Sequence, residues 1–452
     1  MKQVRMQIPE GQPERLSISF WIFYYLGQAP GDAYHNLEQR FIELKERGFN
    51  TIRVDSGAGL CYDVMGQPRG TLSFHAAFPG CCYLRQWPRI TTDYRCDVLQ
   101  SMLVLFTLAG KYDVRVILSS WFYLHTFWFV ERRIRDEFFS LPPEQRFQRF
   151  ASELSLILKT LEERDLHKQI AFVEIFNESE VFPGKWRLSG QNASIGEEID
   201  LMHRVRHWHE DALHFLQERH PEILFAVDTS TAEITRPEIL PRNAQVWNRH
   251  SYYAWDVYAK VFEAPVFDPD FNFDAAGSHP DLGAFLRPDL ISLDTIKANC
   301  GNDGEYEPGW YARSWLYHNL RRDMIPELDR RLAESFLRDL PSYRKALEDG
   351  IRRAGELHDW LLPNSLMVVG EGPTYCPSLD FRWEETCNDY WDLINHAAEL
   401  IARQGCWGFL PRTNSGPDDP VWTEYPDRLY EANRRFQEAA ASSAVPVVKK
   451  SF

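Results

Sequence analysis

The stretch Ile170-Ala-Phe-Val-Glu-Ile-Phe-Asn-Glu178 decides how the rest of the chain is interpreted. Residues 170–175 are apolar except for Glu174, a pattern typical of a short strand buried on both faces. The strand is followed by two adjacent polar residues, Asn177 and Glu178. A carboxylate at the end of a buried strand costs free energy unless it has a partner or a function. From this stretch alone, a helix cap or a surface ion pair explains Glu178 equally well.

The composition excludes several classes of protein. Of the 452 residues, 44% are hydrophobic and 25% are charged, which is typical of a folded chain rather than a disordered one. Aromatic residues make up 14%, including 15 tryptophans, and such rings are good platforms for sugars as well as core material. A net charge of −15 argues against nucleic acid or an anionic membrane as a partner.

The sequence also suggests where the protein works. Its N-terminus lacks the apolar core of a signal peptide, and no run approaches the length of a membrane span. The 8 cysteines show neither a C-x-x-C pair nor metal-ligand spacing with histidine. We therefore expect a cytoplasmic protein with free thiols, no bound metal and no cofactor, and the sequence leaves its oligomeric state open.

Short apolar runs alternate with longer amphipathic segments along the whole chain. Such alternation implies parallel strands joined by helical crossovers, and there is no glycine fingerprint for a dinucleotide. We predict one domain over residues 1–452, a (β/α)8 TIM barrel, with a doubly wound open sheet as the alternative. The predicted strands are Leu16–Tyr25, Thr51–Asp55, Val114–Ser120, Ile170–Ile175, Ile223–Thr229, Gln245–Tyr252, Leu366–Glu371 and Cys406–Pro411.

A long insertion separates the sixth and seventh predicted strands, at about residues 254–362. Its first half, around residues 264–274, is too rich in Pro and Asp for a regular helix. Residues 322–361 have the periodicity of a long amphipathic helix. Between them, the aromatic segment Tyr306–Tyr311 is predicted to form a turn that leans over the barrel mouth. Such a lid would close one end of a cleft at the barrel mouth.

Polar residues cluster at the predicted carboxyl ends of the strands, where the active site of a barrel lies. Two glutamates on different strands, Glu178 and Glu371, suit the cleavage of a glycosidic bond, which needs one proton donor and one ionised carboxylate. Arg53 would hold one glutamate ionised, Tyr252 would hydrogen-bond it, and Asn177 would bind a sugar hydroxyl. A metal hydrolase would need more histidines at the strand ends than His250 supplies.

These residues resemble the motifs of glycoside hydrolase clan A, and within it the family 5 cellulase-like proteins. Val-Glu-Ile-Phe-Asn177-Glu178 resembles the segment that carries the acid/base, and Val-Val-Gly-Glu371-Gly-Pro the one that carries the nucleophile. Asn-Thr-Ile-Arg53-Val and His250-Ser-Tyr252 are similar to two further motifs of the clan. The resemblance implies a retaining glycoside hydrolase with Glu178 as acid/base and Glu371 as nucleophile.

The chain departs from the family at the sugar-binding residues. Ser119-Ser-Trp121 occupies the place where family 5 enzymes often have a histidine after the third strand, and the stacking tryptophan is either Trp407 or Trp422. The predicted substrate-binding residues are Trp21, Trp121, Tyr375, Trp407 and Arg412. Glu174 is interpreted as structural. A carbohydrate-binding barrel without turnover, or a transglycosylase on the same machinery, is the alternative to a hydrolase.

Overall fold

Eight parallel strands close into a barrel in the computed structural model, which describes residues 6–75, 93–121, 130–178, 195–230, 236–299, 308–374 and 380–439. β1 pairs with β2, and the chain then forms a small antiparallel sheet of β3 and β4 outside the barrel. The remaining strands continue around the barrel to β10, which pairs with β1 and closes it. This closure confirms the (β/α)8 TIM barrel and rules out the open sheet. The strands are β1 (Leu16–Phe20), β2 (Thr51–Asp55), β3 (Thr71–Phe74), β4 (Tyr94–Asp97), β5 (Arg115–Ser119), β6 (Ile170–Glu174), β7 (Phe225–Thr229), β8 (Val246–His250), β9 (Leu366–Glu371) and β10 (Gly408–Phe409).

Several barrel strands have bounds close to those predicted from the apolar runs of the sequence. β2 and β9 have the predicted bounds. β1 is shorter than predicted because the chain leaves the barrel after Phe20 and forms a 3-10 turn at Tyr24–Leu26. The small sheet of β3 and β4 lies between the second and third predicted strands, and neither of its strands has the long apolar run that would predict it.

Helices surround the barrel and connect its strands. α4 begins with Pro143, whose fixed φ and missing N–H suit the first helical turn. The helices are α1 (Leu37–Glu46), α2 (Val98–Tyr112), α3 (Arg132–Phe139), α4 (Pro143–Glu162), α5 (Ile195–Arg219), α6 (Leu293–Asn299), α7 (Pro308–Asn319), α8 (Ile325–Leu361), α9 (Trp383–Thr386), α10 (Asn388–Arg403), α11 (Pro420–Glu424) and α12 (Pro426–Glu438). Among the described helices, none is both long and apolar enough to cross a lipid bilayer.

The segment between β8 and β9 has an irregular first half and a long final helix, as its sequence predicts. Its first half forms short turns, including the 3-10 helices Ala264–Phe267 and Phe273–Ser278, and its last part is the 37-residue helix α8. The predicted aromatic turn is wrong from Pro308 onward, because this residue starts α7 and Tyr311 lies inside that helix. Residues 306 and 307 lie outside the described part of the chain.

Polar side chains occupy the interior of the barrel at its carboxyl end. Every residue of β2, β6, β7 and β8 is buried. Buried polar groups must find partners in one another. The partners that they find define the site described next.

Candidate active site

Arg53 of β2 is fully buried and binds three carboxylates from three other strands. Its Nη1 donates to Oε1 of Glu371 at 2.6 Å. Its Nη2 donates to Oδ2 of Asp228 at 2.5 Å, to Oε2 of Glu174 at 2.9 Å and to Oδ1 of Asn177 at 2.7 Å. Burial alone would lower the pKa of Arg53, but the carboxylates raise it above its ordinary value. The guanidinium therefore stays charged and fixes the ends of β6, β7 and β9.

His250, the last residue of β8, lies between the two glutamates predicted to act in catalysis. Its Nδ1 is 2.5 Å from Oε1 of Glu178, and its Nε2 is 3.4 Å from Oε1 of Glu371. Its Nε2 is also 3.0 Å from Oδ2 of Asp228. Burial would lower the pKa of His250, but the surrounding carboxylates, Asp228 foremost, raise it well above its ordinary value. One imidazolium ring thus contacts both glutamates, which places them at the same mouth of the barrel.

Glu178 has an unusual backbone and an accessible carboxyl group. Its φ is +50°, a region that costs free energy for a residue with a Cβ, and its N–H donates to Oδ1 of Asp228 at 3.0 Å. Its side chain is 17% exposed, whereas that of Glu371 is 4% exposed. Burial raises the pKa of Glu178, and His250 offsets part of that rise. Glu178 is therefore the carboxyl group better suited to hold and donate a proton.

Glu371, the last residue of β9, is held by two donors at its carboxylate. Arg53 binds Oε1, and the Tyr252 hydroxyl donates to Oε2. Glycines on both sides allow this packing: a Cβ on Gly370 would lie 2.2 Å from Oδ1 of Asn248. A Cβ on Gly372, whose φ is +138°, would lie 2.4 Å from the carbonyl oxygen of Ser251. The Gly-Glu-Gly pattern thus reflects the close approach of β8 to β9.

The mouth of the barrel holds more acidic than basic side chains. Four carboxyl groups, from Glu174, Glu178, Asp228 and Glu371, surround two cations. Burial raises the pKa of Glu174 and of Glu178. Burial would also raise the pKa of Asp228, but His250 and Arg53 lower it below its ordinary value. Within the described ranges, no group of three or more His, Cys, Asp or Glu side chains has the arrangement of a metal site.

Sequence reasoning missed two members of this cluster, Asp228 and Asn248, and did not predict the contacts of a third, Glu174. Asp228 lies at the end of the apolar run of β7, just as Glu178 follows the apolar run of β6. A carboxylate at the end of a buried strand, the pattern that singled out Glu178, therefore also pointed to Asp228. Glu174 was interpreted as structural, yet it binds Arg53 and accepts from Nδ2 of Asn248 at 2.5 Å. Asn248 carried no signal, because a single amide within a strand does not reveal which face it occupies.

Two of the predicted substrate-binding residues lie away from the mouth, and the side chain of a third is engaged in buried ion pairs. Trp21 is fully buried and packs edge-on against Phe41 at 5.2 Å, outside the barrel. Trp407 precedes β10, and its Nε1 donates to the carbonyl of Pro13 at 2.9 Å, which places it at the amino ends of the strands. Arg412 is fully buried and forms ion pairs with Glu384 and Glu385. The sequence alone does not show which way an aromatic or charged side chain near a strand end points.

Trp121 is the predicted aromatic residue that does lie at the mouth. Its ring stacks on the Arg53 guanidinium at 4.6 Å. The backbone N–H of Trp121 donates to Oδ2 of Asp55 at 3.0 Å, and burial raises the pKa of this carboxyl to about 6. Trp422 is fully buried and stacks on Phe49 instead, so it does not face the mouth. Tyr375 lies outside the described residues.

The comparisons with known proteins agree with this architecture. Residues 18–240 match a family model described as sugar-binding cellulase-like. A protein from Parabacteroides distasonis, proposed to be a glycoside hydrolase, superposes with a TM-score of 0.62 at 16% identity, over 95% of each chain. This likeness shows a shared fold. No curated protein matches the chain.

Further solved structures align over most of their length at lower similarity. A family 5 broad-specificity endoglucanase from Clostridium longisporum has a TM-score of 0.47 at 10% identity, over 97% of each chain. A family 5 mannosidase from Rhizomucor miehei has a TM-score of 0.45 at 11% identity, over 96% of this chain and 99% of its own.

Proposed function

We propose that this protein is a retaining glycoside hydrolase in which Glu178 is the acid/base and Glu371 is the nucleophile. The observation that carries the proposal is the contact of one imidazole ring with both carboxyl groups at the barrel mouth. Two carboxyl groups in different environments are what the cleavage of a glycosidic bond requires. The match to a sugar-binding cellulase-like family over residues 18–240 supports a carbohydrate substrate.

The surroundings of each glutamate support its assigned role. Glu371 receives one hydrogen bond from Arg53 and one from Tyr252, and both donors favour a carboxylate. Burial and the nearby carboxylates raise the pKa of Tyr252, so its hydroxyl keeps the proton that it donates. Glu178 has a raised pKa and greater exposure, as a proton donor to a leaving group needs.

The proposed reaction has two displacement steps. In the first, Glu371 attacks the anomeric carbon and the bond to the leaving oxygen breaks, while Glu178 gives its proton to that oxygen. In the second, a water molecule gives its proton to Glu178 and attacks the same carbon, which releases Glu371. The contact of His250 with Oε1 of Glu178 leaves Oε2 to carry the transferred proton.

We also propose membership of glycoside hydrolase clan A, family 5, on the motifs around Arg53, Glu178, His250 and Glu371. The whole chain would then be one catalytic domain, with residues 254–362 as an insertion. An insertion beside β8 would restrict one end of the cleft and favour the trimming of oligosaccharides. A viscosity assay on a soluble polysaccharide, compared with the release of reducing ends, tests this point.

Hydrolysis of a panel of aryl glycosides, with the anomer of the product followed by NMR, tests the proposed reaction. We expect release of the aryl group with retention at the anomeric carbon, and loss of this activity in Glu371→Gln. Inversion would contradict the role of Glu371 as nucleophile. Sugar binding without release would indicate a binding barrel, and transfer to added saccharides in preference to water would indicate a transglycosylase.

A further inference from the structure

Trp255 is an exposed tryptophan in the loop that follows β8. Its residue surface is 58% exposed, whereas eight other tryptophans of the described chain are at most 5% exposed. Leaving an indole ring in water forgoes the burial that usually stabilises such a large apolar group. Trp360 is also exposed, at 69%, but it ends α8 and precedes β9, which places it at the amino ends of the strands. Of these two exposed rings, Trp255 is therefore the one on the side of the barrel mouth.

Contacts hold the residues on both sides of Trp255 in place, one near Glu371 and one on helix α8. The N–H of Ala254 donates to the carbonyl of Pro373 at 3.1 Å, two residues beyond Glu371 in the chain. On the other side, Asp256 accepts from the Tyr343 hydroxyl at 2.8 Å. The loop therefore holds an exposed ring on a supported backbone, close in sequence to Tyr252.

The neighbours of Trp255 show that its exposure follows from the local fold. Ala254, Val257 and Tyr258 are all fully buried, at the spacing that anchors one face of a helical turn. Residue 255 falls to one side of this buried face, where its ring is exposed to solvent. A large apolar side chain at such a position costs little to remove from the fold, so folding does not account for a tryptophan there.

We propose that Trp255 forms a stacking platform for a pyranose ring of the saccharide, at a subsite beyond the bond that is cleaved. This inference rests on the proposed function and deepens it. The C–H face of a pyranose is apolar and flat enough to cover an indole ring, while its hydroxyl groups stay in water. The site would thus recognise an oligosaccharide of at least two units rather than a simple monosaccharide.

The test compares the binding of oligosaccharides to matched tryptophan variants. Cello- and manno-oligosaccharides of one to six units are titrated by calorimetry into Glu371→Gln, and into double variants that add Trp255→Ala, Trp255→Phe or Trp360→Ala, so that the ligands are not cleaved during the titration. We expect Trp255→Ala to raise the Kd of the longer ligands about 5- to 50-fold, with a smaller effect for Trp255→Phe and none for Trp360→Ala. Binding of the monosaccharide should not change. Thermal unfolding and gel filtration of each variant confirm that the fold and the assembly state are preserved.

Each outcome separates this inference from the proposed reaction. If the tryptophan variants that keep Glu371 cleave aryl glycosides normally, and Trp255→Ala leaves the Kd of every oligosaccharide unchanged, the subsite is refuted while the hydrolase stands. If Trp255→Ala weakens binding but the protein with Glu371 intact cleaves no glycoside, the subsite stands and the hydrolase fails. A change in assembly state with unchanged sugar affinity would assign Trp255 to a protein contact and overturn the proposal.

Discussion

The substitution Asp228→Asn tests whether the buried cluster controls the proton on Glu178. Asp228 accepts from Arg53, His250 and Asn248 at Oδ2, and from the backbone N–H of Glu178 at Oδ1. An asparagine at this position would have one acceptor oxygen and one NH₂ group in place of two acceptor oxygens. In either orientation the NH₂ group would face a donor that Asp228 now binds. The substitution thus removes a charge and leaves at least one buried donor without an acceptor.

The expected loss of stability follows from the ion pairs that Asp228 makes. Removing one partner of a buried pair typically costs about 3–5 kcal/mol, because the other charge is left buried. The two cations that contact Asp228 are both fully buried, so we expect a loss in this range. Urea unfolding monitored by circular dichroism measures it.

The pH dependence of catalysis should move in a defined direction. Without Asp228 the pKa of His250 falls, because burial then opposes its charge with less compensation. A neutral His250 no longer lowers the pKa of Glu178. Loss of the negative charge of Asp228 would by itself lower the pKa of Glu178, but this effect is weaker than that of His250. The basic limb of the kcat/KM profile, where Glu178 loses its proton, should therefore move to higher pH, with kcat lower by about 10²-fold or more.

The matched control is Glu153→Gln, which also replaces a buried carboxyl group with an amide but lies on α4, away from the mouth. We expect this control to keep the wild-type profile on an aryl glycoside. Asp228→Asn with an unmoved basic limb and nearly normal kcat would refute the reasoning, since Asp228 would then be a packing residue only.

Three further predictions concern single carboxyl groups. Glu371→Ala should abolish turnover, and azide should restore part of it with the glycosyl azide as product; detection of no such product would refute its role as nucleophile. Glu178→Ala should slow substrates with poor leaving groups far more than activated aryl glycosides, and equal losses on both would exclude it as the acid. Burial raises the pKa of Glu153 to about 7 in the folded protein. The folded protein is therefore destabilised as the pH rises from the pKa of Glu153 in the unfolded chain towards 7. From pH 4.5 to 7.5, wild type should lose about 3 kcal/mol of unfolding free energy relative to Glu153→Gln, and parallel urea curves at both pH values would contradict this.

The sequence was informative where one physical requirement dominates a segment. β2, β6 and β9 are buried on both faces, so their apolar runs predicted their positions, and the polar residues at their ends predicted the mouth of the barrel. Arg53, Glu178, His250 and Glu371 come together in the structure for this reason.

The aromatic residues were less predictable, because the direction of a ring depends on tertiary packing. Trp21 and Phe20 are neighbours in sequence, yet Phe20 faces the Arg53 guanidinium while Trp21 packs against Phe41 outside the barrel. Trp255 gave no signal in the sequence, since its exposure depends on which face of the turn is buried.

The shared charges at the barrel mouth have a consequence for how this site changes over evolutionary time. Asp228 forms ion pairs with both Arg53 and His250. Arg53 also forms ion pairs with Glu174 and Glu371. Substitutions within such a network are not additive, since the effect of each depends on the charges that remain. A lineage that loses one member by single steps passes through variants with an uncompensated buried charge. Members of the cluster are therefore expected to be kept or replaced in groups, and new specificities to arise at the rim, where residues such as Trp255 change without disturbing the network.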